Sequence, residues 1–547
     1  MTEQEAQQIA LRIIHGALKD VDVSGHINWP HLATLMPHAI ALLGTTKDST
    51  HSMEIGGISA LLGIYFEVRG DYHNAEPYAE RAAGVAETVF GADHPITAEC
   101  LNTLAEVYMS QGRHKPAGAL IQRALAIYET KLGADHPSTG TCRNNLALVY
   151  EDQGRHAEAE QLFLRALAID ESAQGADHPS IGVRLNNLAL FYKNQSRYAE
   201  AEPLFLRALT IEETAVGTDH PSTGVRLNNL ALFYMNQGRY AKAEPLFQRA
   251  LAINETTLGT DHPSTGIRLN NLALLYQDQG RYAEAEPHLE RALEIDEATF
   301  GSNHPSTAAR LSNLAGLYVS QQRYEEAEPL YTRALAIDEA ALGSHHPSTG
   351  TTLNNLGLLY VRQSKYAKAE ALLQRALDIA EASLHPNHIS IGKHLNNLAG
   401  VYESQGRYEQ AEPLYKRALA IDEAALGPDH PSTGICLNNL AYLYQSQGRY
   451  DEAEPLYIRA LAIAESTLGQ EHLTTSNRLN NLAQLYERQG CYAAAKRLQA
   501  RALVIYEARL GHDHARTRQC KADCERLRQQ MGGADTDANR YCGGDRP

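Results

Sequence analysis

The chain has 547 residues, 43% of them hydrophobic, and a formal net charge of −16 at pH 7. An acidic chain without clustered lysine and arginine is a poor match for a phosphate backbone, so we expect no nucleic-acid partner. The N-terminus carries acidic side chains early, and no apolar run approaches the ~18 residues of a membrane span. We therefore expect neither a signal peptide nor a membrane partner. The seven cysteines are sparse and odd in number, which predicts reduced thiols and a cytoplasmic location.

Residues 1–51 are predicted to form an N-terminal helical cap. A short amphipathic helix is followed by the segment WPHLATLMPHAIALLG. Pro30 suits the first position of a helix there, because its missing N–H would be unpaired in any case. One face of this segment is apolar, as expected of a segment that covers the end of a larger helical array.

From residue 52 onward the chain repeats itself with a period of 42 residues. The loop histidines that mark the period are His94, His136, His178, His220, His262, His304, His346, His388, His430, His472 and His514. A fixed period of this size is typical of a solenoid, in which each unit buries its apolar face against its neighbours. We therefore predict eleven tandem units over 52–513 and a C-terminal capping helix over 514–531. The tail, 532–547, has no apolar period and is predicted to be disordered.

Each unit is predicted to be a pair of antiparallel helices, so the predicted fold class is all-α. In the unit that begins at His220, apolar residues recur at helical spacing from Val225 to Tyr234, and Gly238 then ends the first helix. A second apolar helical pattern fills YAKAEPLFQRALAINETTLG. Asp261, in the turn before the next unit, is available to cap the following helix.

The recurring apolar, alanine and tyrosine positions resemble those of the tetratricopeptide repeat (TPR). In one copy these positions are Leu185, Leu188, Ala189, Tyr192, Ala201, Phe205 and Ala208. The additional residues of each unit, spelled LGxDHPSTG, resemble the 42-residue subclass found in kinesin light chains, and the resemblance covers residues 52–530. It implies a right-handed α-solenoid whose concave groove binds an extended peptide or a partner protein. No phosphate loop, nucleophile–base pair or paired-carboxylate motif stands out, so we expect no enzyme activity and no cofactor.

The segment WPHLATLMPH also resembles the junction that precedes such repeats in bacterial signalling NTPases of the NB-ARC (STAND) type. That resemblance implies an alternative function, a sensor arm that acts with a separate NTPase or effector. No Walker motif is present, because GTTKDST at Gly44 lacks the GK[ST] ending and Gly392-Lys393 is followed by His394.

The LNNL motifs predict a ligand-binding row. At about 100° per residue, the first asparagine of each motif shares a helix face with the residues four and eight positions further on. In the resembled family this face lines the concave groove, where an amide can pair with a peptide backbone without carrying charge. The predicted peptide-binding groove comprises Asn144, Asn186, Asn228, Asn270, Asn354, Asn396, Asn438, Asn480, Leu190, Leu232, Leu274 and Leu358. Two alternatives stay open: the amides pair with a neighbouring helix, and adjacent helices cover the leucines. The second asparagine of each motif is predicted to make a structural hydrogen bond.

The loop histidines are predicted to have a structural role in the turn. Equivalent residues of successive units lie ~10 Å apart, too far to share an ion whose ligand bonds are ~2.0 Å long. The mixed cluster of His512, His514, Cys520 and Cys524 has a spacing that matches no standard zinc pattern, so no metal site is expected. The arginine of each QRAL motif is predicted to lie on a salt-bridged or solvated face.

Overall fold

The structure is a computed structural model that describes residues 3–18, 29–46, 52–68 and 71–533. Within these ranges every regular element is an α-helix, which confirms the all-α prediction. Most of the tail predicted to be disordered lies outside the described residues. Only residues 532 and 533 fall within them, at the end of the last helix.

The helices form consecutive pairs, each with a first and a second helix. The first helices are α3 (Met53–Val68), α5 (Pro95–Ser110), α7 (Pro137–Asp152), α9 (Pro179–Asn194), α11 (Pro221–Asn236), α13 (Pro263–Asp278), α15 (Pro305–Ser320), α17 (Pro347–Arg362), α19 (Ile389–Ser404), α21 (Pro431–Ser446) and α23 (Leu473–Arg488). The second helices are α4 (Tyr72–Phe90), α6 (His114–Lys131), α8 (His156–Gln174), α10 (Tyr198–Ala215), α12 (Tyr240–Thr257), α14 (Tyr282–Phe300), α16 (Tyr324–Ala341), α18 (Tyr366–Ser383), α20 (Tyr408–Leu426), α22 (Tyr450–Thr467) and α24 (Tyr492–Leu510). The ends are α1 (Glu3–Leu18), α2 (Trp29–Thr45) and α25 (Ala515–Gly533).

The loop histidine caps the first helix of its unit. The backbone of His220 is extended, and its ring Nδ1 accepts a hydrogen bond of 3.3 Å from the N–H of Ser222. At His262 the same bond, from the N–H of Ser264, measures 3.1 Å, so the histidine and not Asp261 caps the helix. The structural role predicted for the loop histidines is confirmed. Because Nδ1 accepts, the cap requires a neutral ring with its proton on Nε2.

Alanines and aromatics fill the contacts between helices. Ala231, Ala243 and Ala250 are fully buried, which lets helix backbones approach closely. Phe233 is also fully buried, and its ring centroid lies 5.2 Å from that of Phe205 in the preceding unit. Because such side chains pack across unit boundaries, the core runs on from one unit to the next.

Arginines join consecutive second helices. Arg249 of a QRAL motif lies 2.8 Å from Glu213, and equivalent pairs recur along the array, which confirms the salt-bridged face. In the turn between helices, Arg239 lies 2.9 Å from Glu202 and stacks over the Tyr234 ring at 4.5 Å. Half-exposed ion pairs of this kind contribute roughly 0–1 kcal/mol each, so the apolar core supplies most of the stability.

The first helices line the inside of the curved array. From α9 to α23, each first helix contacts the first helix of the next unit. Contacts of that extent between consecutive second helices are absent from the described part of the chain. The layer whose members lie closer together is on the inside of a curve, so the inner wall is built from first helices. The helix pairs therefore form a solenoid, as predicted.

After one turn of the superhelix the chain contacts itself. The His346 ring Nε2 lies 3.2 Å from the carbonyl oxygen of Ser110, a residue 236 positions earlier. The equivalent pairs in the following units are His388 with Asp152, His430 with the Asn194 carbonyl, and His472 with Gly238. We call these four histidines, with the first-helix ends that they contact, the inter-turn seam. Cavities of about 780 and 530 Å³ accompany it, so the two turns meet at points and not along a continuous surface.

Replacing Gly238 with glutamine is expected to disrupt the inter-turn seam. Gly238 has a φ of +65°, and a Cβ there would lie 2.8 Å from Nε2 of His472. Gln322 occupies the equivalent turn position at φ 64°, so this backbone accepts glutamine. The clash should lower the free energy of unfolding by roughly 1–3 kcal/mol and increase the radius of gyration measured by small-angle X-ray scattering.

The matched control for that substitution is Gly280→Gln. Gly280 has a similar φ of +74°, but no atom lies within 4 Å of its Cβ position. Both variants carry the same backbone strain, so any difference between them comes from the contact with His472. Equal radii of gyration for the two variants would contradict a role of the seam in shape.

The sequence predicted reduced cysteines and no membrane-spanning segment. Cys100, Cys142, Cys436, Cys520 and Cys524 are free. Cys491 is disulfide-bonded, which departs from the prediction of reduced thiols throughout. No helix among the described residues combines the length and the apolar character needed to cross a bilayer.

Candidate functional site on the inner wall

Most first asparagines of the LNNL motifs are buried. The side chains that are only 3% to 6% exposed are Asn144, Asn186, Asn228, Asn270 and Asn438. Those that are half-buried are Asn354, Asn396 and Asn480. A buried amide must find hydrogen-bond partners inside the protein, so the partners show what these side chains do.

The partner of each first asparagine is on the next unit or the next helix. Its Oδ1 accepts a hydrogen bond from Nδ2 of the second asparagine one unit further on, and we call this series the asparagine ladder. The bonds are Asn187 to Asn144 (3.2 Å), Asn229 to Asn186 (2.9 Å), Asn271 to Asn228 (2.9 Å), Asn313 to Asn270 (2.7 Å), Asn397 to Asn354 (2.8 Å), Asn439 to Asn396 (3.0 Å) and Asn481 to Asn438 (2.8 Å). Asn480 accepts instead from Nε2 of Gln499 at 2.9 Å. The ladder therefore joins neighbouring helices, and the second asparagines have the structural role predicted for them.

The prediction that the first asparagines line the open groove requires correction for the five buried ones. Asn228 lies about 60° around the helix from the exposed Val225, and this turns it toward the adjacent first helix. Its amide oxygen is then occupied by Asn271 and not by a ligand. Pairing with a neighbouring helix was the alternative that the sequence left open.

A different row of side chains is exposed on the inner wall. These residues lie three positions before the first asparagine, and Val183, Val225, Ile267 and Ile435 are 38% to 45% exposed. Seven residues later on the same face come the leucines predicted for the groove. Leu190, Leu232 and Leu274 are half-buried, whereas Leu358 is exposed.

Together these side chains form an apolar stripe across three consecutive units. We define the stripe as Val183, Leu190, Val225, Leu232, Ile267 and Leu274. Apolar residues that are exposed at equivalent positions of adjacent units form a candidate interaction surface. Beyond the stripe the wall becomes more polar, with Thr351 and Lys393 at the position of Val225.

The sequence contained a signal for the exposed row that the helical period alone does not show. The spacing assigns Val225 to the apolar core face. Its equivalents include Glu99, Thr141, Thr351 and Lys393, and a position that accepts charge in other copies cannot be buried in all of them. Comparison of the copies therefore indicates that this position is exposed in some units, whereas the spacing within one copy does not.

Beneath the wall, buried carboxylates pair with arginines of the next unit. Arg184 Nε lies 2.8 Å from Asp170, and Arg226 Nε lies 3.1 Å from Glu212. Arg268 lacks an acidic partner of this kind, because the residue fourteen positions earlier is Asn254. Burial lowers the pKa of Arg268 to about 10. Among the described residues three boundaries carry such a pair, the third being Asp296 with Arg310 at 3.0 Å.

No set of three or more histidine, cysteine, aspartate or glutamate side chains gathers as a metal site within the described residues. Cys520 is buried, and its thiol donates to the Gln499 carbonyl at 3.6 Å. Burial raises the pKa of Cys520 to about 12, so this thiol is protonated at neutral pH.

Stacked helix pairs with a continuous core and an apolar inner wall define a protein-interaction scaffold of the α-solenoid class. Profiles described as tetratricopeptide repeat match residues 58–130, 101–172, 224–298, 268–340, 306–382, 390–466 and 437–508, and a second such profile matches 183–222. These segments cover well over half of the chain, which therefore belongs to the tetratricopeptide repeat family.

Solved structures similar to this chain include other repeat proteins. The nearly identical TPR-like repeats of a kinesin light chain candidate from Podosopora anserina are 31% identical, with a TM-score of 0.33, covering 38% of this chain and 98% of that one. BtubC (BKLC) from P. vanneervenii is 25% identical, with a TM-score of 0.34, covering 45% of this chain and 92% of that one. A Rap protein complexed with Competence and Sporulation Factor is 14% identical, with a TM-score of 0.45, covering 72% and 99%. No curated protein matches this chain.

Proposed function

We propose that the protein is a non-catalytic scaffold that binds an extended peptide segment of a partner protein along its inner wall. The apolar stripe supports this function most directly. Three units in succession present a branched residue and a leucine on the same side, with a repeat of about 10 Å between units. An extended chain advances ~3.3 Å per residue, so about every third ligand side chain would meet one unit.

The polar groups near the stripe fit a peptide backbone. The second asparagines, such as Asn229, are half-buried and share the exposed face with Val225 and Leu232. Nδ2 of Asn229 donates to Asn186, and its amide oxygen accepts from Nδ2 of Asn228 at 3.5 Å, which leaves a second lone pair of that oxygen for a ligand N–H. Half-buried Asn354, Asn396 and Asn480 keep part of their amides accessible, so they remain proposed contacts together with Leu358.

Replacing Val225 and Ile267 with lysine is expected to abolish most peptide binding. Each side chain is about two-fifths exposed, so the protein should fold normally with lysine there. A ligand that buries the remaining two-fifths of one such side chain gains roughly 1 kcal/mol, and each lysine would also have to be desolvated, so the double variant should bind at least about 10-fold more weakly. The measurement is binding of the full chain to an array of 15-residue peptides from the source proteome, followed by titration of the selected peptides.

The matched control is Leu206→Lys, because Leu206 is 43% exposed on a second helix of the same region. It makes the same kind of change away from the inner wall and should bind as the wild type does. If Leu206→Lys and the double variant bind equally, the groove is not the binding surface. Ligand-dependent oligomerisation, or co-purification of an ATPase, would favour the sensor arm of a signalling NTPase over a simple adaptor.

A further inference from the structure

The buried acid–arginine pairs share one geometry along the array. A carboxylate near the end of a second helix lies beside an arginine fourteen residues later, on the first helix of the next unit. Arg310 Nε lies 3.0 Å from Asp296, which is only 1% exposed. The Arg184 guanidinium also donates to Thr141 at 2.7 Å, and Thr141 is exposed on the inner wall. The arginine therefore fills the space between the buried acid and the wall.

At two unit boundaries, those of Asp338 and Asp422, the arginine is missing and the acid remains. Asp338 is 4% exposed, and threonine replaces arginine at position 352. The Thr352 hydroxyl donates to Asp338 Oδ2 at 2.7 Å. Burial raises the pKa of Asp338, and among the described residues the Thr352 hydrogen bond is the one group that opposes this rise. At Asp422, which also lacks an arginine, Lys393 supplies positive charge.

Two further small residues at the same boundary open a cavity over Asp338. Ser312 replaces the first asparagine of its motif, and Ala309 stands where the preceding unit has Ile267 and the following unit has Thr351. The cavity measures about 270 Å³ and includes Asp338, Ser312 and Thr352 in its lining. The Ser312 hydroxyl oxygen is buried there and has no hydrogen-bond partner. Exposed Ala309 and Thr351 also line the cavity, so it opens onto the inner wall.

We propose that this cavity is a specificity pocket for a basic side chain of the bound peptide, with arginine the best fit. Three other unit boundaries show the arrangement within this chain, because their arginines place Nε 2.8 to 3.1 Å from the equivalent acid. The cavity is smaller than the ~300–1,000 Å³ of a site for a whole small molecule, which suits a single side chain. The Ser312 hydroxyl and the second oxygen of Asp338 supply acceptors for a guanidinium.

The inference rests on the proposed function, because the pocket lies on the wall that would hold the peptide. It refines that function in one respect: a buried carboxylate without a cationic partner selects a cationic residue at one position of the bound peptide. The pocket lies one unit beyond the apolar stripe, between α15 and α17. The selected peptide would thus have apolar residues followed, along the direction of the wall, by a basic one.

The test measures binding of N-acetyl-arginine methylamide to the full chain by saturation-transfer NMR, with the neutral isostere N-acetyl-citrulline methylamide as reference. Arginine should bind at least about 10-fold better than citrulline, because a charge-assisted hydrogen bond to a buried acid contributes about that factor. Thr352→Arg fills the cavity with the chain's own guanidinium, and Asp338→Asn removes its charge. Both variants should lose at least about 10-fold of the arginine affinity.

The matched control is Thr332→Arg, which makes the same substitution at an exposed position on α16 and should leave arginine binding unchanged. Equal binding of arginine and citrulline, or unchanged arginine binding by Thr352→Arg, would overturn the pocket. The outcomes for the two proposals are separable. If peptides bind the inner wall without a preference for a basic residue, the pocket is contradicted and the groove is supported. If arginine binds but no peptide does, the pocket is supported and the groove is contradicted.

Discussion

Acidification from about pH 7 to about pH 4.5 is expected to separate the two turns of the superhelix and to lower its stability. Each of the four seam histidines caps its helix through Nδ1 of the neutral ring. In His346, Nδ1 accepts from the N–H of Ser348 at 3.1 Å, and Nε2 lies 3.2 Å from the Ser110 carbonyl. Protonation of Nδ1 removes the helix cap and places a charge in the contact between turns.

The sign of the effect follows from the direction of the pKa shifts. Burial lowers the pKa of His346, His388 and His472, and it lowers the pKa of His430 to about 4. The unfolded chain, with an ordinary histidine pKa of about 6.5, then binds more protons than the folded chain between these values. The stability is present above about pH 6.5 and is lost as the pH falls toward 4. For His430 the loss amounts to about 3 kcal/mol over the full window.

The measurement is the radius of gyration and the urea midpoint at several pH values between about 7 and 4.5. The matched variant replaces His346, His388, His430 and His472 with asparagine, a good helix cap that does not titrate. This variant should show a flatter pH profile. As a control, asparagine at the exposed caps His178 and His220, outside the seam, should leave the wild-type profile intact. A wild-type profile that is flat across this window would show that the seam does not respond to protonation.

The triple substitution of Asn228, Asn270 and Asn354 with alanine is expected to destabilise the fold. Each change removes the acceptor of a neighbouring amide donor, with hydrogen-bond lengths of 2.7 to 2.9 Å in the wild type. An unpaired buried polar group costs roughly 1–3 kcal/mol, so the triple variant should lose several kcal/mol of its free energy of unfolding. Urea denaturation monitored by circular dichroism measures this loss.

The control for that variant is Asn236→Ala, because Asn236 is exposed at the end of a first helix. Exposed substitutions of this kind usually change stability by about 0.5 kcal/mol or less. A triple variant that keeps its stability but loses peptide binding would restore the hypothesis that the first asparagines contact the ligand. Lost stability assigns them to the asparagine ladder.

The period of 42 residues was sufficient to predict helix pairs, their order and the structural loop histidines, because these features depend on contacts within one unit or between neighbours. The residue that caps the helix was misassigned. Asp261 is a good capping residue by type, but it is Nδ1 of His262 that accepts the hydrogen bond from the backbone. The faces of the first helix were misassigned for another reason. Val225 and Asn228 lie about 60° apart, and which of them is covered depends on the packing of the adjacent first helix.

The sequence by itself determined that this protein is an all-helical repeat array. Comparison of its copies also shows that threonine replaces arginine at position 352. Only the tertiary structure decided which side chains face the inner wall, because exposure depends on how closely neighbouring first helices approach. It alone revealed the inter-turn seam. The contact between His346 and Ser110 depends on the small rotation between neighbouring units, added up over six units, and no local sequence pattern shows that total. It also decided that the missing arginine leaves an open cavity beside Asp338, because a gap exists only where neighbouring side chains do not fill it.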